Sequence, residues 1–288
     1  MNSKQETYYF DFSIKRFGFR FEFKEEVFKY FNNLPKYVLQ QPNWEIEYYN
    51  MFLNNDLDIP ILRETLAKTQ RFLGTNPDIL ALGVTRFVQG GLLYDYDKLK
   101  ESDWGAYYPY ETLYLGKGVC MDKSFLLAKL LILLDFKVVL LAYKKNKHMT
   151  VGIQVSDGLG NYQTPTGSFA LIESTGYNPI GIISPIIENN EEPIIIYPKK
   201  NGTKLFTKIK ELRENEEKAT RMYGKVYVDA NAYQKNILIK IKELEGKAKQ
   251  IEYKLKAESN IIAYNILADS YNKINRDINV LIGYFNQG

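Results

Sequence analysis

Three side chains in this sequence have types and spacing suited to acyl-transfer chemistry: Cys120, His148 and Glu173. The first two are the only cysteine and the only histidine among 288 residues. Cys120 follows "GKGV" and precedes "MDKSFLLAKLL", so a glycine-rich turn runs into an apolar helix at the sulfur. At a helix start the unpaired backbone N–H groups and the positive end of the macrodipole favour thiolate over thiol, and they offer donors to an oxyanion. A thiolate nucleophile needs a proton acceptor that later returns the proton to the leaving group, and His148, opening "HMTVGIQV", is the one imidazole in the chain. The imidazole in turn needs a group to fix its tautomer. Glu173 lies in "ALIEST", an otherwise apolar strand where an unpaired carboxylate is costly and a histidine partner removes the cost. Each residue alone has a plainer reading: a small buried hydrophobe, a structural histidine, a strand-end carboxylate facing water. The order Cys, helix, strand, His, strand, carboxylate meets the demands of a thiol triad.

The elements that must position these groups follow from periodicity. "SFLLAKLLILLDF" is apolar nearly all round and reads as a helix buried at the domain centre. "KVVLLAY", "HMTVGIQV" and "FALIEST" read as a three-strand meander, with "KKNK" a polar turn and "SDGLGNYQTPTGS" a Gly/Asn/Pro-rich excursion. Upstream, "YYFDFSIKRFGFRFEF" alternates aromatic with polar residues in two runs whose phase slips near Lys15 and Arg16, which predicts two strands joined by a tight turn or bulge. "KEEVFKYFNNL" reads as a short helix. "IPILRETLAKTQRFLG" and "NPDILALGVTRFVQGG" follow as helices with proline near the first turn and glycine after the last periodic residue. The tyrosine-rich "YDYDKLKESDWGAYYPYETL" has no clean period and reads as a loop over a surface or cleft.

Beyond residue 198 the character changes. From Lys199 onward 18 Lys and Arg face 11 Asp and Glu, so the net charge of +4 conceals a basic C-terminal part and a slightly acidic remainder. Apolar residues recur there at spacings of three and four. The first seam is Leu205, Ile209, Leu212, Ala219 and Tyr223; the second is Ile237, Ile241, Leu244, Ala248, Ile251 and Leu255; the third is Leu267, Tyr271, Ile274, Ile278, Leu281 and Phe285. Such seams mark helices packed on one another, as an arm or hairpin, with Ser259 placed to cap the last. The basic residues are interspersed with glutamates, so a solvated helical face is expected and nucleic acid is not an expected partner. One cysteine excludes a disulfide scaffold, and one cysteine with one histidine cannot build the usual zinc cage, so no metal or other cofactor is expected. The N-terminus lacks a signal-peptide pattern and no apolar run reaches the roughly 20 residues of a membrane span, so a cytoplasmic protein without membrane contact is expected.

The residues "YPYETLYLGKGVCMDKSFLLAKLL", "VVLLAYKKNKHMTVGI" and "ALIESTG" together resemble the transglutaminase-like superfamily of papain-like thiol enzymes, most closely its archaeal and bacterial branch. The resemblance covers roughly residues 80 to 185. It implies an α+β fold, a papain-like/transglutaminase-like core in which a central helix packs on an antiparallel sheet, here carrying a C-terminal helical extension. It also implies a triad at Cys120, His148 and Glu173. The expected division is 1–75 for the N-terminal strands and helices, 76–198 for the catalytic core and 199–288 for the helical arm. Two departures bear on function: the acid is glutamate where many relatives carry aspartate, and Met149 stands where an aromatic residue often adjoins the histidine. Asp122 reads as a helix-capping or dipole-complementing group. Gln89 is the candidate second oxyanion donor, or an ordinary polar residue at a helix end. Trp104 and Tyr107 are candidates for the wall of a peptide site, or core. The expected activity is thiol-dependent amide hydrolysis through a thioester, of the cysteine peptidase or isopeptidase type, on a peptide or protein substrate. Protein-glutamine acyl transfer is the alternative. So is a non-enzymatic scaffold whose C-terminal helices bind a second copy or a protein partner.

Overall fold

The computed structural model describes residues 3–12, 15–37, 44–100, 105–176, 178–181, 191–212, 214, 230–258 and 260–285. Residues 1–12 with 16–210 form one compact unit, and residues 13–15 with 211–288 form a second. The first 75 residues are therefore not separate from the core, and the boundary falls about a dozen residues beyond the expected 198. The physical reason is packing: Phe206 is fully buried against Phe136, and Thr207 bonds Asp78 through both its hydroxyl and its N–H.

The first unit is built around α6 (Cys120–Leu133), the apolar helix. Phe125, Leu126, Leu127, Leu130 and Leu131 are fully buried, as a helix enclosed on all sides requires. It packs on a five-stranded sheet made of β5 (Val138–Tyr143), β6 (His148–Val155), β7 (Tyr162–Thr164), β8 (Gly167–Ile172) and β9 (Ile194–Ile196), in the order β7-β8-β6-β5-β9 with antiparallel neighbours. Every residue of β5 is buried, which explains its unbroken apolar run. Alternate positions Val139, Leu141 and Tyr143 join Phe169 and Leu171 in one cluster. Two strands extend the expected meander: β7 lies inside the Gly/Asn/Pro-rich excursion, and β9 is the short "III" that pairs with β5.

The aromatic N-terminus forms β1 (Ser3–Phe12) and β2 (Lys15–Lys24), paired as a two-stranded sheet with its phenyl rings on one side. Those rings close on α4 (Pro77–Gly91): Phe87, fully buried, meets Tyr8, Phe10, Phe19 and Phe21 at centroid distances of 6.4, 5.5, 5.1 and 6.2 Å. Helices α1 (Glu25–Asn32), α2 (Trp44–Leu53) and α3 (Ile59–Leu73) complete this side. The tyrosine-rich stretch, expected as loop, holds the short helix α5 (Pro109–Leu115), with Pro109 in its first turn and Glu111 accepting the Tyr108 N–H at 2.9 Å. Residues 109–113 are all buried, so no amphipathic period exists to read. Strand pieces β3 (Leu93–Tyr94) and β4 (Lys117–Gly118) run parallel just ahead of α6.

In the second unit α7 (Ala230–Ala257) and α8 (Ile261–Phe285) pack along each other. Ile241, Leu244, Ala248, Ile278 and Leu281 are buried at the seams read from the sequence. The cap of α8 is Asn260, whose side chain accepts the N–H groups of Ile262 and Ala263 at 2.9 and 3.1 Å. Ser259, Ala219 and Tyr223 lie outside the described residues. Among the described residues no helix is long and apolar enough to cross a membrane.

Truncating Phe87 to alanine removes the ring that joins the N-terminal sheet to α4, and a loss of about 3–5 kcal/mol is expected. Urea denaturation followed by circular dichroism should show a lower midpoint, whereas Tyr9→Ala, at a ring 56% exposed, should change it little.

Candidate active site

The local chain geometry that places the sulfur begins with two glycines. Gly116 ends α5 in the left-handed region, at φ 68°, and its N–H bonds Thr112 O at 3.1 Å. Gly118 stands against Asp122, where a Cβ would come within 2.8 Å of the Asp122 Cβ. This close approach lets the Asp122 carboxylate accept the Val119 N–H at 2.9 Å, from the residue just before the helix. The same carboxylate takes the Tyr107 N–H at 2.7 Å and both contacts of the Lys98 ammonium at 2.7 and 2.9 Å, with Asp122 and Lys98 both buried. Asp122 thus caps the helix as expected, and it also anchors the tyrosine-rich stretch. Burial pushes the Asp122 carboxyl up and the Lys98 ammonium down, each opposed by its partner's charge.

Cys120, free and buried, is the first residue of α6, and its Sγ donates to Lys147 O at 3.7 Å. His148 opens β6 and Glu173 directly follows the last residue of β8, so the β6–β8 pairing brings them to the same end of the sheet. His148 Nε2 lies 2.7 Å from Glu173 Oε2. Nε2 is thus committed to the carboxylate, and His148 lines the same cleft as Cys120. Burial alone would lower the His148 pKa. Hydrogen bonds to the Cys120 sulfur and to Glu173, with the charges of both, override burial and hold the imidazole at about 10. Burial likewise pushes Glu173 towards the neutral acid, but the His148 contact and two donors from Thr175 reverse the direction and keep its carboxyl below the ordinary value. Those donors are the Thr175 N–H at 2.9 Å and hydroxyl at 2.6 Å, both on Oε1.

Gln89, expected as a second oxyanion donor, is directed elsewhere. Its Nε2 donates to the backbone carbonyls of Glu173 at 2.8 Å and Asn178 at 2.9 Å, which uses both amide protons. It is a tether for the strand end that carries the acid. Tyr107, expected as a substrate wall, has its ring 3.2 Å from the Lys98 ammonium and 5.3 Å from that of Lys36, so it serves the support beneath α6. Trp104 lies outside the described residues.

Other contributors carry no signal in the sequence. Ser174 donates to Cys120 O at 3.3 Å and meets Ser124 Oγ at 3.0 Å, tying the helix start to the residue after Glu173. Lys123, fully buried, donates to Gln89 O and Leu92 O at 3.2 and 3.1 Å at the end of α4; burial lowers its pKa to about 7, opposed by the charge of Glu173. Tyr94 sits opposite Gly118 in the β3–β4 pair. Its phenol is pushed up to about 12, by burial first and then by the charges of Cys120 and Glu173. The sulfur opens on a cleft of about 210 Å³ walled by Tyr49, Met121, Ala142 and Met149 and edged by Lys144 and Lys147. Met149, in the place of an aromatic neighbour, contributes to that wall. Among the described residues no three His, Cys, Asp or Glu side chains group as metal ligands.

Residues 64–160 fit the family model described as a transglutaminase-like domain. A search of curated proteins found no match.

Because His148 is the chain's only histidine, an NMR titration of histidine-labelled protein reads this site alone. The ring should titrate far above 6.5, and both Cys120→Ala and Glu173→Gln should move it down, since each removes a hydrogen bond and a negative charge. A raised folded-state pKa means that this proton's contribution to stability is complete below pH 6.5 and is lost as pH rises through about 10. An imidazole titrating at 6.5 and indifferent to both substitutions would contradict the arrangement.

Proposed function

We propose, from the premise that the chain carries a transglutaminase-like domain over residues 64–160, that it is a thiol-dependent amide hydrolase acting through Cys120, His148 and Glu173. The observation that carries this reading is the convergence of the three residues. His148 contacts Glu173 at 2.7 Å, and it lines the same open cleft as Cys120, which stands at the head of a buried helix.

In this reading the Cys120 thiolate attacks the amide carbonyl carbon, and the carbonyl oxygen takes up negative charge. That oxygen forms near the first turn of α6, where backbone N–H groups lack intrahelical acceptors and the dipole is positive. The Cys120 N–H is the donor nearest the new bond. His148, charged, gives a proton to the departing amine as the C–N bond breaks, leaving a thioester. The neutral imidazole then takes a proton from water as its oxygen attacks the thioester carbon; the C–S bond breaks, the acid leaves, and the thiolate and charged imidazole are restored. Glu173 stays ionised throughout, holding the ring orientation and offsetting the imidazolium charge. Hydrolysis is preferred over acyl transfer to an amine because water needs no acceptor site of its own.

The test is trapping of the acyl adduct. A peptide p-nitrophenyl ester should give a burst of nitrophenol, an acyl mass on Cys120 and slower steady hydrolysis. Cys120→Ala should abolish the burst, and His148→Ala should lower the rate about 10²–10⁴-fold. Undiminished turnover in Cys120→Ala would remove the thiol mechanism. With a labelled primary amine added, label in the product instead of free acid would replace hydrolysis by acyl transfer.

A further inference from the structure

The cleft beside Cys120 carries charge that the thiol chemistry does not use. Two of its lining residues, Lys144 and Lys147, belong to the turn "KKNK" between β5 and β6, and both are exposed. The turn is held firmly. Glu191 spends both carboxylate oxygens on its backbone, accepting the Lys145 N–H at 2.7 Å and the Asn146 N–H at 3.0 Å. Glu45 of α2 pairs with Lys144 and offsets that cation. Among the described residues no carboxylate pairs with Lys145 or Lys147.

Lys147 has a second unusual feature. Its φ is 48°, one of only two positive values among the described non-glycine residues. Glycine or asparagine fits that region with less strain, and an asparagine stands one residue earlier. This position holds a long cationic side chain, and it is the residue whose carbonyl receives the Cys120 thiol. The wall beside it is apolar: Tyr49, Met121 and Met149 enclose room for one large side chain.

We infer that the acyl donor for this site is an acidic peptide, with an apolar side chain seated between Tyr49 and the two methionines and a neighbouring Asp or Glu paired with Lys147. The inference rests on the thiol reading given above and adds the class of substrate. The ion pair at the rim is solvent-facing, so it selects among peptides modestly and weakens with salt.

The test uses the full chain and acetyl dipeptide benzyl thioesters that combine leucine with Glu, Gln or Lys in either order, with Cys120 acylation followed by mass spectrometry and thiol release. The expected kcat/KM order is Glu, then Gln, then Lys, spanning about tenfold at low ionic strength and shrinking near 0.5 M salt. Lys147→Glu should invert the order, and Lys147→Gln should flatten it, with circular dichroism confirming that both remain folded. Equal acylation of Cys120 by all the peptides, or an order unmoved by both variants, overturns the inference and leaves the thiol chemistry standing. No acylation by any of them overturns both.

Discussion

The carboxylate of Asp122 is the constraint on which the site depends. It lies two residues after the sulfur, has no solvent contact, and accepts four donor contacts from Val119, Tyr107 and Lys98. A buried ion pair of this kind adds little net stability over an apolar pair of the same volume, because desolvating both charges offsets most of their attraction. Its value is geometric. The two backbone donors fix where α6 begins, and the lysine fixes the segment that crosses beneath it. Loss of the carboxylate would remove the acceptor of the buried Val119 N–H and the counter-charge of Lys98, so the helix start cannot drift without a large cost. Gly118 is glycine because any side chain there would displace this carboxylate.

A second clamp sets the distance from the sulfur to the acid. Gln89, at the end of α4, holds the Glu173 carbonyl with its side chain, while its own carbonyl is held by Lys123 of α6. Helix and strand end are therefore both referred to one residue. Ser174 closes the loop by reaching Cys120 O. His148 is held as well, its backbone paired with Tyr143 in the sheet and its ring bonded to Glu173. Protein interiors strengthen such charged contacts because little water competes, and the same condition makes every unpartnered group there expensive.

Cys120, His148 and Glu173 stand out as candidates because each sits where an element begins or ends, and because the chain has a single cysteine and a single histidine. The central helix was legible from its apolar run, and the seams of α7 and α8 from their spacing. What the sequence hid was direction. The type and position of Gln89 suit an oxyanion donor as well as a tether, and nothing in a linear string says where its amide points. Tyr107 and its neighbours suit a substrate wall as well as a buried support. Buried lysines are the hardest case: lysine is rarely buried, yet Lys98, Lys123 and Lys129 are, each with its ammonium on carbonyls or a carboxylate. Their partners lie 24 positions away for Lys98, 31 and 34 for Lys123, and 71 and 74 for Lys129, and only the tertiary fold brings those together. Helix α5 escaped notice for a related reason, since a short helix buried on every side has no polar face to set its period.

Helix α6 must satisfy two opposed demands, being both the apolar centre of the fold and the carrier of a cluster of buried polar groups at its start. It does so by separating them along its length. From Cys120 to Ser124 every polar side chain has a partner: the sulfur on Lys147 O, Asp122 on its four donors, Lys123 on the end of α4, Ser124 on Met149 O and Ser174. From Phe125 onward the side chains are apolar apart from Lys129, which Asp58 neutralises. The polar groups are thus concentrated in the first turns, where unpaired N–H groups already call for acceptors and the dipole favours negative charge. The apolar remainder fixes the helix in the core, and that rigidity lets a polar N-terminal turn be buried without spreading disorder into the sheet.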